Sequence, residues 1–501
     1  MLSAGVPGFG FAGGEVWGVH VAFSGNSRHY AERLPNGTRV VGGGELLLPG
    51  EVRLGEDEAY SSPWLYAVYG DGLDDQARRV HRMLRARPGH PKRPRPVTFN
   101  VWEAVFFRQD MPTLLRLAQQ AGAAGVERYV LDDGWFLGRT DDSRGLGDWV
   151  VDPARFPDGL GPLIDAVQSH GMEFGLWVEP EMVNEDSDVA RTQPDWIMRT
   201  GGRLPVRSRH QQVLDLTNPA AWDYVRGRLV ALLETYDIAY LKWDHNRGLV
   251  DAGRSPDGHG GVHEQTLATY RLMDELRRRF PGLEIESCAS GGGRVDLGIL
   301  ERTDRVWASD CLDPYERQQI NAWTLQLVPP ELVGAHIGAS PDKTTGRQTG
   351  LAFRAGTALL HHLGVEWDLT RVDESSLAEL REWISWHRDV RSLAHSGDVV
   401  RLDRLDDDAV AVHGVVSQDR SRAVFVAARL ATPFDSTPGM LLLRDLDPEV
   451  RYRVRVVRGA DGREEDPSGG VVVPGRVLMT TGLRCPTLRP GDLAIVELTA
   501  R

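Results

Sequence analysis

Residues 239–246 read AYLKWDHN, an apolar run that ends in a knot of charge. The same pattern recurs in VTFNVWEAVF (97–106), ERYVLDDGWF (127–136), MEFGLWVEPEM (172–182), LEIESCAS (283–290), RVWASD (305–310), LVGAHIGAS (332–340) and GVEWDLT (364–370). Between the runs lie amphipathic stretches such as MPTLLRLAQQAGAAG (111–125) and HEQTLATYRLMDELRRRF (263–280), with apolar residues at three- and four-residue steps. Eight short apolar runs alternating with helices over roughly 300 residues are what a (β/α)8 barrel requires. Residues 97–395 are therefore expected to form one, with catalytic groups at the C-terminal strand ends, where the polar clusters fall.

The flanks are patterned differently. Residues 1–96 alternate apolar and polar positions in EVWGVHVAFSG (15–25) and GGELLLPGEVRLGEDEAY (43–60), followed by one helical stretch, DDQARRVHRMLRAR (74–87). PGHPKRPRPV (88–97) is proline-rich and basic without periodicity, and it reads as a linker or domain edge. Residues 396–501 return to short alternating runs separated by turn residues, among them DAVAVHGVV (408–416), RAVFVAAR (422–429), GMLLLRDL (439–446), VRYRVRVVRG (450–459) and LAIVELTA (493–500). A C-terminal antiparallel β-domain is expected there. The class is thus multidomain α/β.

Composition narrows the function. The 501 residues are 41% hydrophobic and 26% charged, with a formal net charge of −13. An acidic surface disfavours nucleic acid and anionic membrane as partners, since both are negative, and a neutral substrate fits better. No run of 18 uncharged apolar residues occurs, and MLSAGVPGFGFAGGEVWG (1–18) lacks the charged and apolar regions of a signal peptide, so a cytoplasmic protein is expected. Cys288, Cys311 and Cys485 are too few and too widely spaced for a disulfide framework, and no metal-binding spacing or cofactor motif occurs. Neither a metal nor a cofactor is expected.

The strand ends collect Glu103, Asp132, Asp133, Glu179, Glu181, Asp244, Asp310 and Asp368, together with Lys242. So many carboxylates without a metal-ligand set point to carbohydrate chemistry, because a carboxylate accepts several hydrogen bonds from vicinal hydroxyls. Trp102, Trp135, Trp177, Trp243 and Trp307 offer flat faces for the C–H side of a pyranose. Breaking a glycosidic bond takes two carboxyl groups, one to attack or stabilise the anomeric centre and one to protonate the leaving oxygen. Asp244 fits the first role: Lys242, two residues back on the strand, shares its side and keeps it ionised. Asp310 has no equally close cation in sequence and is flanked by Trp307 and Cys311, which suits the raised pKa of a general acid.

Taken together, LKWDHNR (241–247), ESCASGGGRVDLGIL (286–300) with RVWASD, LDDGWF (131–136), the long segment GDWVVDPARFPDGLGPLIDAVQSHGMEFGLWVEPEMVNEDSD (147–188) and VGAHIGAS (333–340) resemble glycoside hydrolase family 36, the retaining α-galactosidases. The resemblance runs from about residue 10 to the C-terminus. It implies that Asp244 is the nucleophile and Asp310 the acid/base. It also implies that Asp132 and Asp133 bind the 4- and 6-hydroxyls, that Trp177 walls the sugar pocket, and that Arg209 and Lys242 bind hydroxyls. Asn246 joins the substrate-binding set, Cys288 and Gly291 lie beside the 2-hydroxyl, and Trp102 lies toward the aglycone. The substrates implied are terminal α-galactosides such as melibiose, raffinose-type oligosaccharides and galactomannan side chains. Family members carry a longer N-terminal stretch that completes a large β-sandwich, so Met1 is expected to begin inside that domain; a homo-oligomer stays open. Residues 396–501 are expected to form a second β-sandwich.

Plainer roles compete at several positions. Asp244 could be salt-bridged to Lys242, Asp310 could cap the helix that starts in SDCLDPYERQQI (309–320), although Asp313 before Pro314 is the better cap, and Asp132 and Asp133 could form a turn with Gly134. Cys288 alone reads as a small buried hydrophobe, and His245 as a packing residue. Galactosyl transfer of the raffinose or stachyose synthase type, and non-catalytic sugar binding, remain alternatives to hydrolysis.

Overall fold

The computed structural model describes residues 1–501 apart from 255–257, 404–408, 433–438, 458–469 and 486. Asp408, at the start of DAVAVHGVV, and Arg458 and Gly459, at the end of VRYRVRVVRG, lie outside the described residues. The chain opens with β1 (Leu2–Gly5), β2 (Glu15–Val21), β3 (Ser27–Arg33), β4 (Arg39–Glu45) and β5 (Leu65–Asp71). Strands β1, β2 and β5 make one antiparallel sheet, and β3 and β4 a hairpin. Of the run 43–60 only the first residues are strand; Pro49–Gly50 turns the chain, and the stretch beyond carries no ladder. The helix Leu73–Arg85 follows, with Leu73, Ala77, Val80 and Leu84 on its buried face and Arg79 outside it.

Strands β6 (Thr98–Asn100), β7 (Arg128–Leu131) and β8 (Glu173–Val178) lead into a small antiparallel pair, β9 (Met182–Asn184) and β10 (Gln211–Val213). Then come β11 (Tyr240–Trp243), β12 (Glu284–Ser287), β13 (Arg305–Trp307), β14 (Val333–Gly338) and β15 (His362–Glu366). All eight expected barrel runs contribute a strand, and β6, β7, β8 and β11 to β15 close in sequence order as a parallel barrel. Leu131, Leu176, Leu241, Ile285, Val306 and Val333 are at most 1% exposed, as strands covered on both faces must be.

One crossover departs from the expected alternation. Between β12 and β13 there is only a single 3-10 turn, Ile299–Glu301. The reason is in the sequence: SCASGGG has neither the apolar period nor the helix propensity to continue a helix.

The basic segment 88–97 is a strap pinned to the barrel rather than a loose linker. Arg93 Nε and Arg95 Nη2 meet Glu284 at 2.7 and 3.0 Å, and Arg128 Nη2 meets the same carboxylate at 2.9 Å. Glu284 and Arg128 are first residues of β12 and β7, so this cluster closes the barrel at the end opposite the polar knots. Beyond the helix Glu374–Ala394, strands β16 (Asp398–Arg401), β17 (Val410–Val416), β18 (Arg422–Arg429), β19 (Met440–Leu441), β20 (Arg451–Val457), β21 (Val471–Pro474), β22 (Leu483–Arg484) and β23 (Leu493–Ala500) complete the chain. Six of them form one antiparallel sheet, with β19 and β22 paired separately. Alternate residues serve two cores: Val415, Val424 and Ile495 face the barrel side, and Val412, Phe425 and Val496 the side of Leu441 and Leu478.

Candidate active site

The C-terminal strand ends surround a pocket of about 300 Å³. Its lining includes Trp102, Asp132, Asp133, Trp177, Arg209, Lys242, Asp244, Asn246 and Asp310. Nine of the eleven residues expected to act in catalysis or substrate binding thus meet in one cavity, with Glu103 and Trp307 of the strand-end set. Cys288 and Gly291 stand just behind the lining, for reasons given below.

Asp244 follows the last residue of β11, where the chain leaves the sheet and a side chain can reach the mouth. Its Oδ2 accepts from Asn246 Nδ2 at 2.8 Å and Trp177 Nε1 at 3.1 Å, and its Oδ1 from the His245 N–H at 2.8 Å. Burial pushes its pKa up, but the Lys242 charge and the hydrogen bonds from Asn246, the Cys288 thiol and the His245 amide outweigh it. The carboxyl ends below its ordinary value. Lys242 does this from a distance: its Nζ is bonded to Asp132 Oδ2 at 2.8 Å. The expected Lys242–Asp244 pairing is therefore replaced by a field effect, because Asp132, just past β7 and two strands away around the barrel, competes for the ammonium.

Asp310 lies three residues past β13, and Trp307 Nε1 donates to its Oδ1 at 2.9 Å. Burial raises its pKa, and the nearby Asp244 charge adds to this against the opposing Lys242. The helix after it is capped by Asp313, whose side chain accepts from the Tyr315 N–H, so Asp310 is not the cap. The two carboxyls are thus shifted in opposite directions within one cavity.

The tandem aspartates sit on a turn locked from below. Gly134, at φ +123°, makes the bend, and Gln109 Nε2 donates to the carbonyls of Asp132 and Asp133 at 2.9 and 2.7 Å. Arg139 forks onto both oxygens of Asp133 at 2.9 and 2.8 Å, and Asn100 holds Asp132 at 2.6 Å. Both oxygens of Asp133 and Oδ1 of Asp132 keep a lone pair for a ligand hydroxyl, whereas Asp132 Oδ2 is filled by Asn100 and Lys242. Asn246 is a scaffold as much as a contact: its Oδ1 accepts from Arg209 Nη1 at 2.8 Å and Ser290 Oγ at 3.1 Å while its amide steadies Asp244.

Cys288 is 1% exposed and packs with Trp307 and Leu312. It reaches the site through its thiol on Asp244 rather than as wall. Gly291, at φ +84°, faces the backbone of Asp310, where a Cβ would come within 2.8 Å of the amide nitrogen. Other expected mouth groups lie elsewhere. Glu181 is tied to Arg294 at 2.7 Å and Trp243 Nε1 at 2.8 Å, Glu179 to Gln211 at 3.0 Å, and Asp368 caps a 3-10 turn through the Thr370 N–H. Trp135 and Trp243 are fully buried and offer no face to a ligand. His245 packs against Glu181 through Nδ1 at 3.2 Å.

Sequence reading missed Glu366, Arg139, Lys343 and the pair Phe106 and Phe107, all of which line the pocket. Glu366 is the last residue of β15, bonded to His336 Nδ1 at 2.7 Å, and burial pushes it up to about 7. Position at a strand end was its signal, and the more polar-looking Asp368 two residues on drew the assignment instead. Among the described residues no group of three or more His, Cys, Asp or Glu side chains could hold a metal ion.

Residues 59–397 match a family model described as Melibiase, residues 1–55 one described as glycosyl hydrolase family 36 N-terminal domain, and residues 410–496 its C-terminal counterpart. The chain is 44% identical over 459 residues to an alpha-galactosidase of Escherichia coli, covering 91% of this chain and 64% of the relative. It is 34% identical over 478 residues to alpha-galactosidase AgaA of Geobacillus stearothermophilus, covering 92% and 64%. The crystal structure of AgaA superposes with a TM-score of 0.91 at 32% identity, over all of this chain and 69% of that one. A variant of AgaA in complex with raffinose gives 0.92 at the same identity and coverage. The chain thus spans slightly under two thirds of the length of these curated relatives.

Proposed function

The chain belongs to glycosyl hydrolase family 36, and from that premise we propose that it hydrolyses terminal non-reducing α-D-galactosyl residues with retention of configuration. The observation that carries the proposal is the opposed pair in one pocket, the Asp244 carboxyl lowered below its ordinary range and the Asp310 carboxyl raised above it. Paired carboxyls pushed apart in pKa are the acid/base signature of glycosidases.

In the first step the Asp244 carboxylate attacks C1 of the galactosyl unit. The C1–O bond breaks, and Asp310 delivers its proton to the departing oxygen. The galactosyl ester on Asp244 is then cleaved by water: Asp310, now a carboxylate, takes the water proton, the new C1–O bond forms, and Asp244 leaves as carboxylate. Two inversions give retention, which requires carboxyls about 5 Å apart. Asp132, Asp133, Lys242 and Arg209 take the sugar hydroxyls, with the axial 4-hydroxyl selected at the tandem aspartates. Trp177 forms a wall, and Trp102 lies toward the leaving group. Raffinose, present in the AgaA complex, and melibiose are the substrates we propose. The proposal includes a cytoplasmic location, supported by the free thiols of Cys288 and Cys311; among the described residues no helix is long and apolar enough to cross a membrane.

The test is release of p-nitrophenol from p-nitrophenyl α-D-galactoside by the wild type and by Asp244→Ala, with the anomer of the first-formed galactose read by NMR. We expect the α-anomer and a loss of at least about a thousandfold in the variant. Equal rates would remove Asp244 as nucleophile, a β-anomer would remove retention, and transfer products exceeding free galactose would replace hydrolysis by transfer.

A further inference from the structure

Three carboxyls of the pocket have no part in the chemistry above, and one of them, Asp142, is exposed at its edge. Glu366 is accounted for by its bond to His336. Glu103, on the short helix Trp102–Val105 after β6, is not: its Oε2 is buried and has no hydrogen-bond partner. Native structures leave few buried polar atoms unpaired, and the carboxyl that carries this one belongs to a residue lining the cavity, where a ligand could meet it.

The surroundings of Glu103 say which ligand. It lines the pocket together with Trp102, Phe106, Lys343 and Thr344. The charged groups acting on it most strongly are Glu366 on β15, Asp342 and Lys343 in the loop after β14, and Asp310 after β13. Asp310 is the group that protonates the leaving oxygen in the proposed reaction, so this wall belongs to the departing half of the substrate. Three acidic neighbours against one lysine exclude an anionic leaving group. Burial first, and then the charge of Glu366, push the Glu103 carboxyl up to about 9, so at neutral pH it carries a proton. In that form it both donates and accepts a hydrogen bond, as a sugar hydroxyl does.

We infer that Glu103 is a specificity-determining residue for the leaving sugar, its carboxyl hydrogen-bonded to a hydroxyl of that sugar on the wall shared with Trp102 and Lys343. The inference rests on the hydrolytic reading above and adds the residue that recognises the leaving sugar of such substrates.

Two alkyl galactosides separate this contact from the chemistry. Melibiose and methyl α-D-galactoside have leaving groups of similar demand for acid, but only melibiose brings a second sugar. The measured quantity is the ratio of their kcat/KM values, which does not depend on the fraction of enzyme correctly folded. Glu103→Ala is expected to lower the ratio about tenfold, mainly through KM for melibiose. Glu103→Gln, whose amide still donates and accepts, keeps it within about twofold at neutral pH. As pH rises through about 9 the wild-type ratio falls while that of Glu103→Gln stays level. An active enzyme whose ratio is unmoved by Glu103→Ala overturns this inference alone. A wild type inactive on both galactosides overturns the hydrolytic reading and this inference with it.

Discussion

Lys242 Nζ lies 2.8 Å from Asp132 Oδ2, with both side chains under 10% exposed. One ammonium thus serves two carboxylates, neutralising Asp132 by contact and lowering Asp244 through space. Removing one member of such a buried pair leaves an uncompensated charge, which costs about 3–5 kcal/mol. Lys242→Met and Asp132→Asn should each lower the urea midpoint, and the double variant should lose far less than the sum. Additive losses would mean that the pair is not coupled in the folded state.

The opposed shifts fix the shape of the pH profile. In the proposed reaction, turnover requires Asp244 ionised and Asp310 protonated. Asp244 sits below its ordinary value, so the active form persists to low pH and is lost as pH falls through the Asp244 pKa. Asp310 sits above its own ordinary value, so activity is lost only as pH rises through that raised pKa. Cys288→Ala removes a donor to Asp244 and should move the acidic limb of kcat/KM for melibiose upward, leaving the alkaline limb in place. Cys288→Ser, which restores a donor, should return it. An acidic limb that stays put in Cys288→Ala would show that the thiol does not act on the nucleophile.

Barrel, strand ends and the meeting of Asp244 and Asp310 in one pocket were legible because each rests on local pattern. AYLKWDHN shows both an apolar strand and the charge that follows it, and the closed barrel of β6 to β15 brings such ends together. What sequence did not reveal is which partner a side chain chooses once the barrel has closed. Lys242 is two residues from Asp244 in the chain but bonded to Asp132, 110 positions away. Glu181 looked like a mouth carboxylate, yet Arg294 and Trp243 hold it in the interior. Gly291 has no side chain to assign, and its contribution is visible only as the space it leaves beside Asp310. The segment PGHPKRPRPV reads as a linker or domain edge because the partners of its arginines, Glu173 and Glu284, lie on distant strands.

That arginine strap makes stability depend on acid in a definite window. Burial would push Glu284 up, but Arg128, Arg95 and Arg93 outweigh it and bring it down to about 2 from an ordinary 4.5. A depressed carboxylate contributes stability that is fully present above its unfolded value and is lost as pH falls through the folded one. Glu284→Gln should therefore cost about 3 kcal/mol at neutral pH. Thermal melts of wild type and variant should converge between about pH 4.5 and 2. A gap in Tm that stays constant over that interval would locate the acid sensitivity elsewhere.

Gly291 tests whether the acid/base must be held by backbone. At φ +84° it adopts a conformation that costs an L side chain strain, and an added Cβ would stand 2.8 Å from Asp310 N and 2.9 Å from Ser309 Cα. Those are main-chain atoms, so relief comes only by moving the Asp310 segment. Displacing a proton donor by a fraction of an ångström to one ångström can cost about a hundredfold in rate. Gly291→Ala should thus lower kcat for melibiose by that order. It should affect dinitrophenyl α-galactoside much less, because that leaving group departs without a proton. Gly227, in the helix Pro219–Thr235 with open space where a Cβ would go, supplies the control, and Gly227→Ala should leave both rates alone. Equal losses on the two substrates in Gly291→Ala would mean that the glycine supports the pocket as a whole and not the position of Asp310.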